Sequence, residues 1–500
     1  TFIELDITDA GTITDLNIMV NLDHGYENGL RYLTLQLLSP YGNSVELAHG
    51  DQNGSSPYWN DQDGGDLYNT IFDDEGSTII YDGTSPFPGV YQPDASLSDF
   101  DGQSITGTWQ LLVTNSSNSS GTAVEFTIMV ETDNWYKLYG GSSDDIARSV
   151  QQTTDGGYII AGKTESSGNG SSDAWLIKTD SDGAKEWSQT FGGSDVDYAR
   201  SVQQTADGGF IIVGGTRSYG NGNDDVWLIK TDSEGNEQWN QTWGLGGSDH
   251  GRSVQQTSDG GYIIAGESYY AALLLKTDSN GNEEWNQLLT SYNNDRANSV
   301  RQTPDGGYIV AGRVTVSSPF NNLDILLTKT NASGIEQWSQ TFGGTSEDDE
   351  ASAVELTNDG GYILAGETES FGNGSKDIWL IKTDSNGSSQ WSQTYGGSST
   401  DAARSVQTTS YGGYIITGYT YSFGNGGADT WLLKTDGNGN LDWDKTYGGT
   451  GGDFGESVLE ANEGGYIIAG SQYSFGSGGY DAWLIHESDP LPSINISSSE

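Results

Sequence analysis

The octapeptide DGGYIIAG at residues 155–162 returns, with small changes, at 207–214, 259–266, 305–312, 359–366, 411–418 and 463–470. Its aromatic residue stands at 158, 210, 262, 308, 362, 414 and 466, in steps of 52, 52, 46, 54, 52 and 52 residues. A fixed period of this size dictates a repeat architecture, because each unit buries its apolar face only against its neighbours. Each repeat holds four strand-like runs; in the first they are 147–153, 157–164, 174–179 and 187–191. The run 158–161 is nearly all apolar, so both of its faces are expected to be buried. Seven units of four short strands predict a seven-bladed β-propeller over 134–486. A solenoid would need capping repeats, and none is visible. Six repeats finish on a tryptophan strand, at Trp187, Trp239, Trp285, Trp338, Trp391 and Trp443, and the seventh lacks one. Trp135, just ahead of the first repeat, supplies the missing strand and predicts a ring closed by the two ends of the repeat region.

Within the repeats, Asp or Asn followed by Gly at 180–183 and its five relatives reads as hairpin chemistry rather than as a calcium loop. An Asp precedes the innermost strand every time, at 145, 197, 249, 295, 349, 401 and 453. Two readings stand: an acidic ring able to hold a cation, or seven local bonds fixing a loop, of which the second is preferred. Arg148, Arg200, Arg252 and Arg404 lie three residues further on and are expected to neutralise that ring. The lysines at 178, 230, 276, 329, 382 and 434 read as paired structural charges. The third repeat has lost its second loop, which exposes Tyr269 and Tyr270 and puts Leu274 where other repeats have tryptophan. The fourth carries VTVSSPFNN, with Phe320, in that loop and Leu326 at the tryptophan position. Repeats three and four are therefore expected to form a smooth, low-charge sector suited to a partner.

Residues 1–133 read as all-β. Leu16, Ile18 and Val20 alternate with polar residues, as do Leu33, Leu35 and Leu37, and turn clusters fall at sandwich spacing. Two packed antiparallel sheets of jelly-roll type are the natural expectation. The strings Asp23-His24, LTLQLLSPYG at 33–42, NTIFDD at 69–74, GVYQP at 89–93, LSDFDG at 97–102 and GTWQL at 107–111 follow one another in an order that resembles the P domain, or Homo B domain, of subtilisin-type proprotein convertases. Asn115 departs from the acid usual there, and no subtilisin-like Asp, His and Ser motifs precede the region. The resemblance implies a jelly-roll scaffold, with calcium in some members. Independently, Asp61, Asp63 and Asp66 alternate in a Gly-rich loop and suit a hard, oxygen-ligated cation such as Ca²⁺, or else a solvated acidic loop. Asp73, Asp74 and Asp101 join the candidate calcium ligands through the resemblance alone.

The formal charge of −50 opposes nucleic acid and anionic membrane. The chain has no cysteine, which excludes disulfides and thiolate metal sites, and no run approaches a membrane span. It starts at Thr1, so removal of a signal peptide or upstream region is expected. Sequons at Asn53, Asn115, Asn118, Asn169, Asn240, Asn331, Asn373, Asn386 and Asn495 are candidate glycosylation sites on an extracellular surface. His24, His49, His250 and His486 fall in unrelated places, and no nucleophile elbow, zincin helix, Walker loop or dinucleotide fingerprint occurs. Past 487 the chain leaves the ring through Pro490 and Pro492, and Ile494 and Ile496 alternate like an unpaired strand that could be donated to a neighbour. The expected function is that of a non-catalytic, extracellular or cell-surface filament subunit. It would associate head to tail or with another surface protein or glycan. The alternative is a binding or adhesion module of a larger secreted protease or polysaccharide-acting protein.

Overall fold

Glycine spacing and apolar runs set the strands, and strand pairing sets everything larger. The computed structural model describes 2–7, 13–23, 33–39, 43–49, 67–72, 89–91, 97–100, 107–115, 122–132 and 134–488, except 222, 245–246, 270, 291–293, 317–321, 346, 411, 463 and 477. The chain divides into two compact units, one of 1–134 with 462–465 and 486–500, the other of 135–461 with 466–485.

In the first unit, β1 (Phe2–Ile7), β2 (Ile13–Asp23), β3 (Leu33–Leu38), β4 (Ser44–His49), β5 (Leu67–Phe72), β6 (Gly89–Tyr91), β7 (Gly107–Asn115) and β8 (Thr122–Thr132) form two four-stranded sheets. Their orders are β1-β7-β3-β4 and β6-β5-β2-β8. One pairing departs from the antiparallel expectation: β5 and β6 run parallel, Thr70 opposite Gly89. Leu35 and Leu37 are buried with Val45, Leu47 and Leu111, the period-2 pattern of a strand with one covered face.

The second unit is seven four-stranded sheets, each built in simple up-and-down order. The seventh takes its outer strand, Trp135–Tyr139, from the other end of the repeat region. Blade one and blade seven share one core, in which Ile160 and Ile177 meet Ile467 and Leu484, so the ring is closed. The second and third strands of blade one, Tyr158–Thr164 and Asp173–Thr179, are buried almost throughout, whereas the outer strand Lys185–Phe191 is half open. This is the construction of a β-propeller.

Two motifs that stand far apart in the sequence meet in the ring. Each outer-strand tryptophan packs on the DGGY aromatic of the next blade: Trp135 on Tyr158, Trp187 on Phe210 and Trp239 on Tyr262, at 6.4, 5.9 and 6.0 Å between ring centroids. The paired glycines of the motif have different reasons. Gly156 has φ of +90° with open space around it, whereas a side chain on Gly157 would stand 2.1 Å from the Thr179 carbonyl oxygen. Nearer the axis, the Ser149 hydroxyl accepts from the Val202 N–H of the next blade, and Ser457 of blade seven accepts from Val150 of blade one, both at 3.3 Å. The closing junction is thus bonded like that between blades one and two.

Candidate functional site: the axial mouth of the propeller

The innermost strand of every blade carries a bulge at one fixed place. In blade one the register with the second strand slips between Ala147 and Ser149, and each other blade slips at the equivalent point. A bulged residue falls out of the ladder and its side chain is re-aimed. The residues concerned are Arg148, Arg200, Arg252, Asn298, Ser352, Arg404 and Glu456, and all seven line one cavity of about 330 Å³. Arg296, Glu350 and Glu367 complete its wall. The chain holds nine arginines, and five of them are in this lining.

This corrects the expectation that the arginines neutralise the Asp ring. Asp145 takes the Gly141 N–H at 2.8 Å and the Ser166 hydroxyl at 2.6 Å. Asp197 does the same with Gly193 and Ser218. These are the local loop bonds of the preferred reading, and the bulge carries the arginines away from them. Among the described residues no cluster of three or more His, Asp or Glu side chains is arranged to hold a metal.

The mouth is lined by charged and polar side chains. Arg148 pairs with Glu456 at 2.5 Å, Arg252 and Arg296 share Glu267 at 3.0 and 2.8 Å, and Arg313 reaches Glu350 at 2.7 Å. Glu367 is held by Lys376 at 2.5 Å, with Arg404 at 3.7 Å. Burial works against the charge of Glu267, but Arg252 and Arg296 prevail and hold its carboxyl below the usual range. The Tyr198 hydroxyl meets His250 Nδ1 at 2.5 Å. Burial pushes His250 down, so its imidazole is neutral at pH 7. Outside the lining itself, Arg404 stacks over Tyr419 at 5.1 Å, Tyr419 meets Phe454 at 5.2 Å, and Tyr480 lies 6.1 Å from Phe454.

The remaining sequence candidates scatter. Asp61, Asp63, Asp66, Asp73, Asp74 and Asp101, with Tyr270, Phe320, Ile494, Ile496, Asn53, Asn118 and Asn495, lie outside the described residues. Asn115 ends β7. Asn169, Asn240, Asn373 and Asn386 are exposed, although the Asn240 amide accepts from Trp227 and donates to Glu237; Asn331 is half-buried and spends its amide oxygen on the N–H groups of Ser333 and Ile335. Tyr269 is 65% exposed with φ of +48°. The tryptophan of blade three is replaced by Leu273, which stands opposite Gly266 as Trp175 stands opposite Gly162, and not by Leu274. Within blades three and four, His250, Arg252, Glu267, Arg296 and Arg313 gather as a mostly buried charged cluster, and the loop residues 270 and 317–321 of the expected smooth sector lie outside the described residues. Exposed aromatics are most numerous on blades five to seven, as Phe371, Tyr421, Phe423, Tyr473 and Phe475, and blade two adds Tyr219 at the place of Phe371. The lysines are structural, but Lys178 pairs with Asp155 of its own DGG turn, at 3.1 Å, and donates to the Thr179 carbonyl.

No protein-family model matches the sequence, and no curated protein does. Among solved structures, the Pan2 WD40 domain of Neurospora crassa is 10% identical, covers 74% of this chain and 99% of its own, and has a TM-score of 0.44. Sqt1 from Chaetomium thermophilum is 10% identical over 73% of this chain and 91% of its own, with a TM-score of 0.41. Drosophila Plexin A, in complex with Semaphorin 1b, is 8% identical over 69% and 86%, with a TM-score of 0.43. Likenesses this distant carry no argument, and the architecture rests on the chain's own strand order.

Proposed function

We propose that this chain is a non-catalytic structural and interaction protein of the cell exterior that assembles head to tail into filaments. The supporting observation is the placement of exposed aromatic side chains. Phe371, Phe423 and Phe475 occupy the same place in the loop between second and third strands of blades five, six and seven, 46, 44 and 50% exposed. Phe371 packs tilted against Trp379 and Phe423 against Trp431, at 5.0 and 5.1 Å between ring centroids. Blade one has Ser167 at this place, so the fold does not require an aromatic there. Aromatic rings on an otherwise acidic surface are the residue type that interfaces select.

In this reading the first unit is a jelly-roll scaffold of the P-domain kind, with calcium at the Asp61, Asp63 and Asp66 loop. Glycans on Asn169, Asn240, Asn373 and Asn386 are part of the same picture. The test is assembly of the full chain at high concentration, followed by light scattering and electron microscopy. Filaments are expected from the natural sequence, and the F371S/F423S/F475S variant should remain monomeric with an unchanged circular dichroism spectrum. Monomers at every concentration, with or without 489–500 and with or without Ca²⁺, would overturn the filament reading.

A further inference from the structure

The carboxylates of the axial mouth are unevenly shared among its arginines. Arg148 has Glu456, Arg252 and Arg296 have Glu267, and Arg404 has Glu367 within 4 Å. Arg200 has no carboxylate at ion-pair distance among the described residues, and its Nε has no hydrogen-bond partner there. It lies over the Tyr198 ring at 5.2 Å, with its two like-charged neighbours, Arg148 and Arg252, in the adjoining blades. Burial, with the repulsion of Arg252 and Arg148, brings the Arg200 guanidinium down to about 10, so it is still charged at pH 7.

The fold does not need an arginine at this place. The same bulge carries Asn298 in blade four and Ser352 in blade five. Three neighbouring blades nevertheless place guanidinium groups side by side, in a chain of net charge −50. Charges beyond a Debye length of about 8 Å are screened at physiological salt, so the local excess decides what enters. A guanidinium presents paired N–H donors in a fixed fork that matches a carboxylate, sulfate or phosphate. The volume of about 330 Å³ is that of a small-molecule site, at the lower end of the usual ~300–1,000 Å³.

We propose that the axial cavity binds a small oxyanion-bearing molecule, with Arg200 as its principal ligand and Arg148 and Arg252 on either side. The site is independent of filament assembly and stands or falls apart from it.

Calorimetric titration of the full chain at pH 7 and constant ionic strength, with inorganic phosphate, citrate and galacturonate as probes, tests this. At least one probe should bind with a Kd of about 1 mM or tighter. Tighter binding of citrate or galacturonate assigns the site to organic carboxylates, whereas tighter binding of phosphate assigns it to the inorganic ion. Arg200→Gln and Arg252→Gln should each weaken that probe by ~10-fold or more. Arg217→Gln, whose guanidinium pairs with Asp224 and is not part of the cavity lining, should leave it unchanged. In probe-free buffer Arg200→Gln should unfold at the same temperature as the natural sequence or above it, because a buried charge with no carboxylate partner is being removed. Failure of all three probes to bind overturns the proposal. So does binding that survives Arg200→Gln, and so does a lower unfolding temperature or misfolding of that variant, which would make Arg200 structural.

Discussion

Asp305 and Asp359 sit in the same turn of successive blades and are held near their charged form by different first causes. The hydroxyl of Thr303 is the largest influence on Asp305, and the ammonium of Lys382 is the largest on Asp359; each carboxyl is brought down to about 2. A carboxyl depressed in the folded state contributes stability that is present above its unfolded value, near 3.9, and is lost as pH falls towards 2. A second set of aspartates has the opposite sign. Burial, joined by the carboxylate of the next blade, pushes Asp173, Asp225, Asp377 and Asp429 up. Their charged forms cost stability at neutral pH, and protonation relieves that cost on the way down. Thermal unfolding followed from pH 7 to pH 2 should therefore show a midpoint that first rises on mild acidification and then falls below about pH 4. Asp305→Asn should lessen the fall without moving the rise. A midpoint that declines steadily from pH 7 would contradict the assignment of the second set.

At the scale of the blade, the turn between third and fourth strands is a contact as well as a turn. Gly281 has φ of +77°, and a Cβ added to it would stand 2.5 Å from the ring of Trp239 on the preceding blade. Gly260, in the DGG turn of the same blade, has φ of +86° and nothing within 4 Å. Gly260→Ala should lose about 1–2 kcal/mol from backbone strain alone, and Gly281→Ala should lose more, because the indole must also move. Chemical denaturation of the two variants side by side checks this, and equal losses would mean that the turn glycine has no part in blade-to-blade packing. The comparison also marks what the sequence could tell. Seven copies of DGGYIIAG, six tryptophan strands and Trp135 revealed the ring and its closure, since packing repeats and repeats are readable. The direction of Arg148 was not readable, because a one-residue bulge decides it and leaves no periodic trace. A usable signal was present all the same. Three residues after the uniform Asp, the repeats carry Arg, Arg, Arg, Asn, Ser, Arg and Glu, a disagreement in the midst of agreement. The placement of Leu273 failed for a related reason: with the loop of blade three deleted, nothing in the sequence anchored the strand register.

For the molecule as a whole, the net charge of −50 opposes both compactness and association. Five of the nine arginines face the axis, where they cannot offset acidity on the outer surface. At about 10 mM salt the Debye length is about 30 Å, so acidic groups on one molecule repel those on the next across any contact the size of a loop. At about 150 mM it is about 8 Å, and short-range aromatic contacts such as those available to Phe371, Phe423 and Phe475 can prevail. The unfolding midpoint should accordingly rise as sodium chloride is added from about 10 to about 150 mM. Light scattering should find monomers at the low value and association at the high one. The two effects separate the causes, because the triple serine variant keeps every charge. It should retain the whole salt-dependent gain in midpoint while failing to associate at any salt concentration. Association that is strongest at the lowest salt would point to paired opposite charges between molecules and would remove the aromatic loops from the interface.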